Sequence, residues 1–449
     1  MRLARSRIPS GTLKLHPTLQ IKIHKLVYGG DGLGRLPADE NGPGKTVFAP
    51  FVLEGETVEI ALTEQKRSFA RGRVQEIVEA SAHRVEPQCP YFQRCGGCHY
   101  QHADYAHQLE IKAEILRETL RRTAKIELPC ELQTHSASPW KYRNRTRFKL
   151  RHAPEFAIGY YKFASHDLQP VDQCPISSDL INRALTALWP SGRAGKLAGI
   201  DEIELFANAD DTQMLAELYI AAGTQRSEAR RLVESVQPLM PEIAGVAAFP
   251  AGAAEAQKPI AAIGSEFLTY AMKRAAYRVN AGAFFQVNRF LLDELTSIVV
   301  PPGLSGAYAL DLYAGVGLFS KLLAESFPQV RSVESSQTST GNLSDNCPQN
   351  VEVVQATTEA YLNNAKSKDV SSRPDLIIVD PPRAGLGESV VAGLVKLNAP
   401  RVTYVSCDPA TLARDLAGLT KAGYRIAEAH WLDMFPQTFH IESVFHLLR

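Results

Sequence analysis

The sequence lacks any apolar run long enough to cross a membrane, and it has almost no net charge. The stretch after Met1 is basic rather than apolar and does not have the form of an export signal, so we expect a cytoplasmic protein without a membrane partner. A formal net charge of +1 excludes a polyanion-binding surface spread over the whole molecule, so any basic surface must be local. One local excess lies at the start, where the first 36 residues contain seven lysines and arginines against the single acid Asp31.

Cysteine is also scarce, with seven in 449 residues. In a reducing compartment these cysteines argue for metal binding or catalysis rather than a disulfide framework. Three of them, Cys89, Cys95 and Cys98, fall within ten residues around a Gly-Gly pair, and Cys174 is the expected fourth ligand. Four thiolates suit either zinc or an iron–sulfur cluster, and ligand type alone does not separate the two. The three-plus-one spacing differs from the paired Cys-x2-Cys knuckles that are usual in structural zinc sites.

The chain has no internal repeat, and its length exceeds what one hydrophobic core holds, so we expect roughly three domains. Residues 1–14 form a basic segment ahead of them. Residues 15–80 have short strands and glycine-rich turns, which predict a small OB-like β-barrel of the kind that binds single-stranded nucleic acid; a generic barrel is the alternative. Residues 81–265 predict a central α+β domain. Residues 266–449 contain alternating strands and helices, which predict an α/β domain with a parallel sheet.

The central segment contains a row of basic residues at every second position from Lys141 to Arg151. In a strand these cations share one face, and a phosphate backbone lying across them would offset their repulsion. The alternatives are a solvated face and packing of this strand against the C-terminal α/β domain through some of the arginines. Two further patterns are local: helical spacing of apolar residues from Asp104 to Arg122, and a linker or hairpin insertion from Ala251 to Pro259.

A glycine-rich turn follows the first strand of the α/β segment, in Ala309-Leu-Asp-Leu-Tyr-Ala-Gly-Val-Gly317. Such a turn lets a ligand approach the backbone closely. Glu334 lies 23 residues after Asp311, where an acid can accept hydrogen bonds from ribose hydroxyls. Nicotinamide enzymes and S-adenosylmethionine methyltransferases share this layout. Asp311 at the start of the turn, and Ser320 in place of a third glycine, favour the methyltransferase.

Two later strands also end in residues with reactive or charged side chains. One strand runs into Asp380, and the run from Val402 breaks at Cys407. Both side chains are therefore expected at the carboxyl edge of an open sheet, where α/β folds bind ligands. A buried structural cysteine is the alternative for Cys407. Near the end of the chain His440 and Glu442 are two residues apart and would share one side of an extended segment.

Taken in order, these motifs resemble the RNA uracil-5-methyltransferase family, and within it the TRAM-containing enzymes that act on 23S ribosomal RNA. The TRAM domain is a small RNA-binding barrel, matched here by Gly29-Gly-Asp-Gly32 and Phe51-Val-Leu-Glu-Gly-Glu56. The resemblance spans residues 15–449. Its other motifs are Cys-x5-Cys-Gly-Gly-Cys98, Tyr142-Arg-Asn-Arg145, Phe285-Gln-Val-Asn288, Asp311-Leu-Tyr-Ala-Gly-Val-Gly317, Asp380-Pro-Pro-Arg383, Ser406-Cys-Asp-Pro409 and Phe435-Pro-x-Thr-x-His-x-Glu442.

The resemblance implies a monomeric enzyme with a class I, Rossmann-like domain that methylates C5 of a uridine, with 23S rRNA as the expected substrate. It implies that Cys407 adds to C6 of the uracil and that Glu442, with His440 as a second candidate, removes the C5 proton. The target base must leave its stack, because C6 is inaccessible inside a helix. The resemblance also implies a [4Fe–4S] cluster on Cys89, Cys95, Cys98 and Cys174. The implied pocket for S-adenosylmethionine and uracil is lined by Gln286, Tyr313, Gly315, Gly317, Glu334 and Asp380.

Two positions depart from the family pattern. Leu318 stands where related enzymes often have asparagine, and Thr357 lies near an expected polar pocket residue. These departures motivate the alternative of an inactive homologue that binds ribosomal RNA or assists ribosome assembly, and the presence of both Cys407 and Glu442 argues against it. A cytosine-5-methyltransferase is the nearest enzymatic alternative, but the single candidate nucleophile and the Asp380-Pro-Pro-Arg383 motif favour uracil.

Overall fold

The computed structural model describes residues 18–38, 44–252, 258–364 and 373–449, so the basic segment 1–14 lies outside the described residues. The chain forms two compact units. The first comprises the described residues up to Glu86 together with His102–Asp104, and the second comprises Pro87–Gln101 and the described residues from Tyr105 onward. No helix in the described part of the chain is long and apolar enough to cross a membrane.

The first unit is a closed five-stranded β-barrel. Its strands are β1 (Thr18–Leu26), β2 (Asp31–Arg35), β3 (Thr46–Pro50), β4 (Thr57–Gln65) and β5 (Phe69–Glu79). They follow the order β1-β2-β3-β5-β4, and β4 pairs with β1 to close the barrel. Apolar residues at every second position fill the interior, for example Ile21 and Ile23 on β1 and Val58 and Ile60 on β4. The OB-like barrel predicted for residues 15–80 is confirmed.

The second unit starts with a loop that carries three of the cysteines and leads into a helix. Helix α1 (Tyr105–Thr119) ends in a π-helical turn, Leu120–Ala124, and agrees with the helix predicted from Asp104 to Arg122. Strand β6 (Leu132–His135) follows and becomes the edge strand of the eight-stranded sheet described below.

Seven strands then form a mixed sheet that is packed against two helices. The strands are β7 (Arg145–Arg151), β8 (Ala157–Tyr161), β9 (Leu168–Pro170), β10 (Ile200–Ala207), β11 (Met214–Ile220), β12 (Ile243–Pro250) and β13 (Ala261–Gly264). The helices are α2 (Asp179–Arg193) and α3 (Arg226–Val236), the latter followed by a 3₁₀ turn, Gln237–Leu239. The sheet order is β13-β12-β11-β10-β7-β8-β9. Because β12 and β13 are antiparallel, the insertion predicted at Ala251–Pro259 is a hairpin connection, of which residues 253–257 lie outside the described residues.

The basic row from Lys141 to Arg151 is paired with acids instead of presenting a free cationic face. Strand β7 lies antiparallel to β10, on which glutamates also recur at every second residue. The ion pairs are Arg145 with Glu204 and Glu217, Arg147 with Glu204, Lys149 with Glu202, and Lys141 with Asp179. The prediction of a phosphate-binding row is therefore wrong for these four basic residues, because acids of the same protein already neutralise them.

From residue 267 onward the chain forms an α/β fold preceded by a hairpin of β14 (Phe267–Ala271) and β15 (Ala276–Asn280). The later strands are β16 (Tyr308–Leu312), β17 (Gln329–Glu334), β18 (Val351–Gln355), β19 (Leu376–Val379), β20 (Arg401–Ser406), β21 (Arg425–Leu432) and β22 (Glu442–Leu448). The helices are α4 (Leu292–Val299), α5 (Ser320–Leu323), α6 (Gln337–Asn346), α7 (Thr358–Asn364), α8 (Gly387–Leu397) and α9 (Pro409–Lys421). The sheet order is β18-β17-β16-β19-β20-β22-β21-β6.

The direction of winding in this sheet reverses at β16, since β17 lies on one side of it and β19 on the other. The five neighbouring strands β18, β17, β16, β19 and β20 run parallel to one another. Strand β22 is antiparallel to β20. The Rossmann-like open sheet predicted from the sequence is confirmed. Ligands bind such sheets at the carboxyl ends of the strands beside the reversal. Strand β6 reaches this sheet from within residues 81–265, so the two predicted segments share a sheet and the boundary after residue 265 stays a prediction.

Candidate active site

Residues singled out from the sequence lie at the carboxyl ends of adjacent parallel strands. Tyr313 follows β16, Glu334 ends β17, Asp380 follows β19, and Cys407 follows β20. Because these strands are neighbours in the order β17-β16-β19-β20, their ends meet at one edge of the sheet. Strand β22 is antiparallel to β20 and begins at this same edge with Glu442.

The turn after β16 has a strained backbone. Tyr313, Gly315 and Gly317 have positive φ angles of 63°, 57° and 91°. A Cβ on Gly317 would lie 2.8 Å from Leu343 Cδ1, so a side chain is excluded there, whereas a Cβ on Gly315 would meet nothing within 4 Å. A positive φ in a non-glycine residue such as Tyr313 costs about 1–3 kcal/mol, and strain of this kind clusters at ligand sites. The turn is therefore closely packed at Gly317, whereas its backbone at Gly315 borders open space.

The Glu334 carboxylate is oriented by two backbone amides. Gly315 N–H donates to its Oε2 at 2.9 Å, and Ser336 N–H donates to its Oε1 at 2.7 Å. Oε1 also accepts a hydrogen bond from Ser335 Oγ at 3.4 Å, whereas Oε2 still has a lone pair to offer. The carboxylate can therefore accept further hydrogen bonds from the hydroxyls of a ligand that lies beside the glycine-rich turn.

Asp311 lies fully buried at the end of β16. Its Oδ2 accepts a hydrogen bond from Ser320 Oγ, whereas Oδ1 is a buried oxygen without a hydrogen-bond partner among the described residues. Burial raises the pKa of the Asp311 carboxyl to about 7, although the bond from Ser320 opposes the effect. A buried acceptor without a donor marks a position at which a bound ligand or water would donate.

Cys407 lies half-buried in the turn between β20 and α9. The next residue, Asp408, caps α9 by accepting hydrogen bonds from two backbone N–H groups of its first turn at 3.0 and 2.9 Å, which fixes the turn. Burial raises the pKa of the Cys407 thiol to about 12, and the carboxyls of Glu442 and Asp380 add to the effect. The thiol is therefore protonated at neutral pH in the ligand-free protein and must lose its proton before it can act as a nucleophile.

Half-buried Asp380 and buried Glu442 form a pair of carboxyls beside this thiol. Burial raises the pKa of Asp380 to about 7, and the Asp311 charge adds to the effect. Burial also raises the pKa of Glu442 well above its ordinary value, with the Asp380 charge adding and the Arg383 guanidinium opposing. Two interacting carboxyls of this kind do not readily ionise together, so the pair holds a proton near neutral pH. Such a pair can give a proton to a neighbouring group or take one from it.

His440 lies just before β22 and contacts Arg383, whose Nη2 is 3.3 Å from His440 Nε2. The Phe439 ring packs against the imidazole at a centroid distance of 4.3 Å. Burial, with the positive charge of Arg383 as a further cause, lowers the pKa of His440 to about 3. The imidazole is therefore neutral at physiological pH and is not a proton donor in its charged form.

The remaining pocket candidates lie on loops and helix ends. Gln286 is buried on the loop between β15 and α4, and its role stays a prediction. Leu318 is buried, and its carbonyl accepts a hydrogen bond from the Tyr277 hydroxyl at 2.8 Å. Thr357 Oγ1 accepts a hydrogen bond from Ala360 N–H at 3.1 Å in the first turn of α7. Leu318 and Thr357, which depart from the family pattern, thus have local structural roles.

The residues that hold the loop before β22 were not among the sequence candidates. Lys112 on α1 is fully buried, and its Nζ lies 2.6 Å from Asp433 Oδ1 and 3.0 Å from the Phe435 carbonyl oxygen. A buried charge is stable only when it is paired in this way. The available signal was that Lys112 lies on the same face of α1 as Leu109 and Leu116, where an apolar side chain is expected.

The four cysteines predicted to bind a metal come together around one cavity of about 240 Å³, and they are Cys89, Cys95, Cys98 and Cys174. Asn182 Oδ1 accepts a hydrogen bond from the Cys174 N–H at 2.8 Å, which holds the more distant of the two loops. Among the described residues, no three of the sulfurs lie within 4.8 Å of one another. Tetrahedral zinc, with Zn–S bonds of about 2.3 Å, would separate its sulfurs by only about 3.8 Å. The arrangement is thus wider than a closed zinc site.

The cysteine loop also contacts the loop before β22. The backbone N–H groups of His99 and Tyr100 donate to the Gln437 carbonyl at 2.8 and 3.0 Å. The His99 ring packs edge-on against Phe439 at 4.7 Å, and Phe439 in turn packs against His440. The cysteine cavity and the sheet edge that carries Glu442 are therefore joined by direct contacts.

Comparison with known proteins places this geometry in a family. The family model of tRNA (uracil-5-)-methyltransferases matches residues 104–449, and that of the TRAM domain matches residues 17–75. An uncharacterized RNA methyltransferase of Caldanaerobacter subterraneus subsp. tengcongensis is 30% identical over 453 residues, with 96% of this chain and 98% of that protein covered. One from Aquifex aeolicus is 31% identical over 435 residues, with 95% and 97% covered.

A solved structure shows the same fold. The crystal structure of Pyrococcus abyssi tRNA (uracil-54, C5)-methyltransferase in complex with S-adenosyl-L-homocysteine aligns over 95% of this chain and 99% of that chain, with a TM-score of 0.71 and 23% identity. This likeness supports a class I methyltransferase fold. Because the family model spans most of the chain and the relatives match it along nearly their whole length, the protein belongs to the tRNA (uracil-5-)-methyltransferase family and is a TRAM-containing RNA uracil-5-methyltransferase.

Proposed function

We propose that the protein transfers the methyl group of S-adenosyl-L-methionine to C5 of a uridine in RNA through a covalent bond between Cys407 and C6 of the base. One observation carries the proposal: the Cys407 thiol lies beside the carboxyls of Asp380 and Glu442, at the edge of the sheet where the glycine-rich turn begins. A nucleophile, a proton acceptor and a cofactor turn at one edge are the groups that this reaction requires.

S-adenosyl-L-methionine supplies the methyl group when it is bound. Open space beside Gly315 leaves room for its approach to the backbone, and the oriented Glu334 carboxylate would accept hydrogen bonds from its ribose. The unpartnered Oδ1 of Asp311 offers a further acceptor beneath the turn. Tyr313, Gly317, Gln286 and Asp380 would complete the pocket around the cofactor and the uracil.

The thiol activates the base because uracil C5 alone is a weak nucleophile. Addition of the Cys407 thiolate to C6 makes C5 enolate-like, so that C5 can attack the methyl group. Glu442 as a carboxylate then removes the C5 proton, and the thiolate leaves C6 to restore the base. In the ligand-free pair the proton resides on Glu442, whose pKa is raised more, so the Asp380 carboxylate, with a pKa of about 7, is suited to take the proton that Cys407 releases at the start. Glu442 must then give its own proton to solvent before it can accept the C5 proton. His440 is the second and weaker candidate for the base, because its lowered pKa reduces the proton affinity of the imidazole.

We propose in addition that Cys89, Cys95, Cys98 and Cys174 bind a [4Fe–4S] cluster. The wide spacing of the sulfurs and the cavity between them suit a group that places irons and sulfides between the thiolates. Protein purified without oxygen should be brown and contain about four irons per chain. Elemental analysis and visible absorption measure this, and stoichiometric zinc without iron would contradict the cluster. A Cys130→Ser variant serves as the control, because Cys130 is not one of these ligands.

The proposed RNA is 23S ribosomal RNA, as the resemblance to TRAM-containing uracil-5-methyltransferases implies. The barrel provides a surface of the kind that binds single strands, and the target uridine must be unstacked before Cys407 can reach C6. Transfer RNA is the competing substrate, because the name of the similar P. abyssi enzyme specifies tRNA uracil-54.

Substrate RNA that carries 5-fluorouridine tests the nucleophile. Fluorine at C5 blocks the final proton removal, so the wild-type protein should accumulate a covalent complex that survives denaturing electrophoresis. Cys407→Ala should form none, whereas Cys130→Ser should form as much as the wild type. The unmodified RNA is first shown to accept labelled methyl groups from the same preparation. Absence of a complex with that active enzyme, or trapping by Cys407→Ala, would remove Cys407 from the mechanism.

A further inference from the structure

A second cluster of metal-binding side chains lies away from Cys407, within the neighbouring strands β21 and β22. Glu428 and His430 on β21 and His446 on β22 have ligand atoms within 4.8 Å of one another. His446 pairs with Thr403, which lies three residues before the end of β20, so the cluster is about 10 Å along that strand from the carboxyl edge. It is therefore separate from the thiol and from the pair of carboxyls.

A chain of contacts leads to this cluster. Glu294 Oε1 lies 2.6 Å from His135 Nδ1, His135 Nε2 lies 3.1 Å from His430 Nδ1, and His430 Nε2 lies 3.3 Å from Glu428 Oε2. His135 thus contacts one ring nitrogen of His430, and the other ring nitrogen lies beside the Glu428 carboxylate and His446. A cation placed between these ligand atoms would contact all three side chains.

His446 offers a third ligand to the same position. The Ile298 backbone carbonyl accepts a hydrogen bond from the His446 ring, and Thr403 Oγ1 lies 3.0 Å from its Nδ1. These contacts hold the imidazole in place, with one of its ring nitrogens within 4.8 Å of the ligand atoms of Glu428 and His430. Metal-binding histidines typically have this arrangement, with the second ring nitrogen bonded to a carbonyl or a carboxylate. His430 has the corresponding support through His135 and Glu294.

The distances suit a small transition-metal ion. Tetrahedral zinc, with ligand bonds of about 2.0–2.1 Å, separates its nitrogen and oxygen ligands by about 3.4 Å, close to the 3.3 Å between His430 Nε2 and Glu428 Oε2. Glu428 is exposed, so its side chain can turn to close the remaining distance. We propose that Glu428, His430 and His446 bind a divalent ion of the zinc type, with His135 and Glu294 orienting His430. Imidazole and carboxylate ligands suit zinc and its neighbours in the first transition row.

A bound metal ion would connect four secondary-structure elements. It would bridge β21 to β22 directly, and through His135 and Glu294 it would also tie down β6 and α4. An ion that binds only the folded state stabilises it by mass action, so the melting temperature should rise with free metal concentration. The inference does not depend on the proposed methylation, because binding and melting are measured without RNA or S-adenosylmethionine.

Cobalt(II) absorption of the full-length protein tests the site, because nitrogen and oxygen ligands give d–d bands without the thiolate charge-transfer band of a cysteine site. Wild-type protein should bind one equivalent in this thiolate-free form, and zinc should displace it. Glu428→Gln and His446→Gln should each weaken binding at least tenfold, and His135→Gln should weaken it by about 10- to 100-fold. His107→Gln, which removes a partly buried histidine 3.0 Å from Glu110 on α1, is the matched control and should bind as the wild type does.

Glu428→Gln is decisive because an exposed side chain can be changed without loss of fold, which circular dichroism verifies. Equal affinity of the wild type and Glu428→Gln for cobalt would overturn the proposal. Cobalt that binds only with a thiolate band would also overturn it. A zinc-dependent rise in melting temperature in the wild type and in His107→Gln, but not in Glu428→Gln, would support it.

Discussion

Burial determines the protonation of the groups at the sheet edge. Loss of hydration is the largest cause of the raised pKa of Cys407, Asp380 and Glu442 alike. Each charged form is disfavoured because these side chains have little contact with water, and Arg383 offsets only part of the effect at Glu442. In the ligand-free site, the thiol and the carboxyl pair therefore retain protons near neutral pH. Substrate must bring the thiol and the carboxyls into their reactive forms.

Glu442→Gln separates the catalytic role of this carboxyl from its cost in stability. If Glu442 removes the C5 proton, the variant should still form the adduct with ordinary uridine but release product about 10²–10⁴ times more slowly. A covalent intermediate should then accumulate on denaturing gels, and single-turnover kinetics should show slow release. Normal turnover would exclude Glu442 as the base.

The same variant should be more stable than the wild type at high pH. The pKa of Glu442 is raised on folding above its ordinary value of 4.5, so the folded state holds this proton more tightly and loses stability as pH rises above 4.5. Glutamine cannot ionise and avoids this loss. The melting temperature of Glu442→Gln should exceed that of the wild type at pH 8 and match it near pH 4.5. An exposed control, Glu388→Gln, should show no such trend, and a pH-independent difference would contradict the buried-carboxyl argument.

The sequence identified Cys407, Asp380 and Glu442 because each lies where a strand meets a turn, which is a local pattern. It did not identify Lys112 or His430, since each depends on a partner far away in the chain. Lys112 is buried only because Asp433 accepts its charge, 321 residues later. His430 contacts His135, which lies 295 residues earlier in the chain. Local spacing contains no information about such partners.

At the scale of elements, strand periodicity predicted the barrel and the parallel sheet, and helical spacing predicted α1. The error concerned β7, whose alternating cations were expected to face phosphate. The glutamates of β10 alternate with the same period of two, and antiparallel pairing brings them opposite the cations. A row of like charge along one strand is thus informative only when the neighbouring strand is known. Pairing across some 50 residues could not be read from the sequence.

Strand β6 illustrates the same limit. Its four residues, Leu132–His135, carry no strong strand signal, yet they extend the α/β sheet by pairing with β21. This pairing is also what brings His135 to His430. The edge of the sheet and the proposed metal site therefore arise from one long-range contact, which explains why both were absent from the sequence predictions.

At the scale of the whole molecule, a net charge of +1 provides little general attraction to RNA. Non-specific binding to a phosphate backbone depends on released counterions and hence on clustered cations. Four of the six cations in the most basic row are already paired with acids. Recognition must then depend on the barrel and on the shape and unpaired bases of the target, which favours a small number of specific uridines.

Methylation mapping of a strain without this gene tests that conclusion and the choice of RNA together. Loss of the protein should remove 5-methyluridine from one or a few positions of 23S rRNA and leave tRNA unchanged, as mass spectrometry of RNA digests would show. A plasmid with the wild-type gene or Cys130→Ser should restore the modification, and Cys407→Ala should not. Loss from tRNA instead would contradict the ribosomal assignment but keep the uracil chemistry, because the same thiol and carboxyls serve either RNA. An unchanged pattern in both RNAs would contradict the proposed function itself.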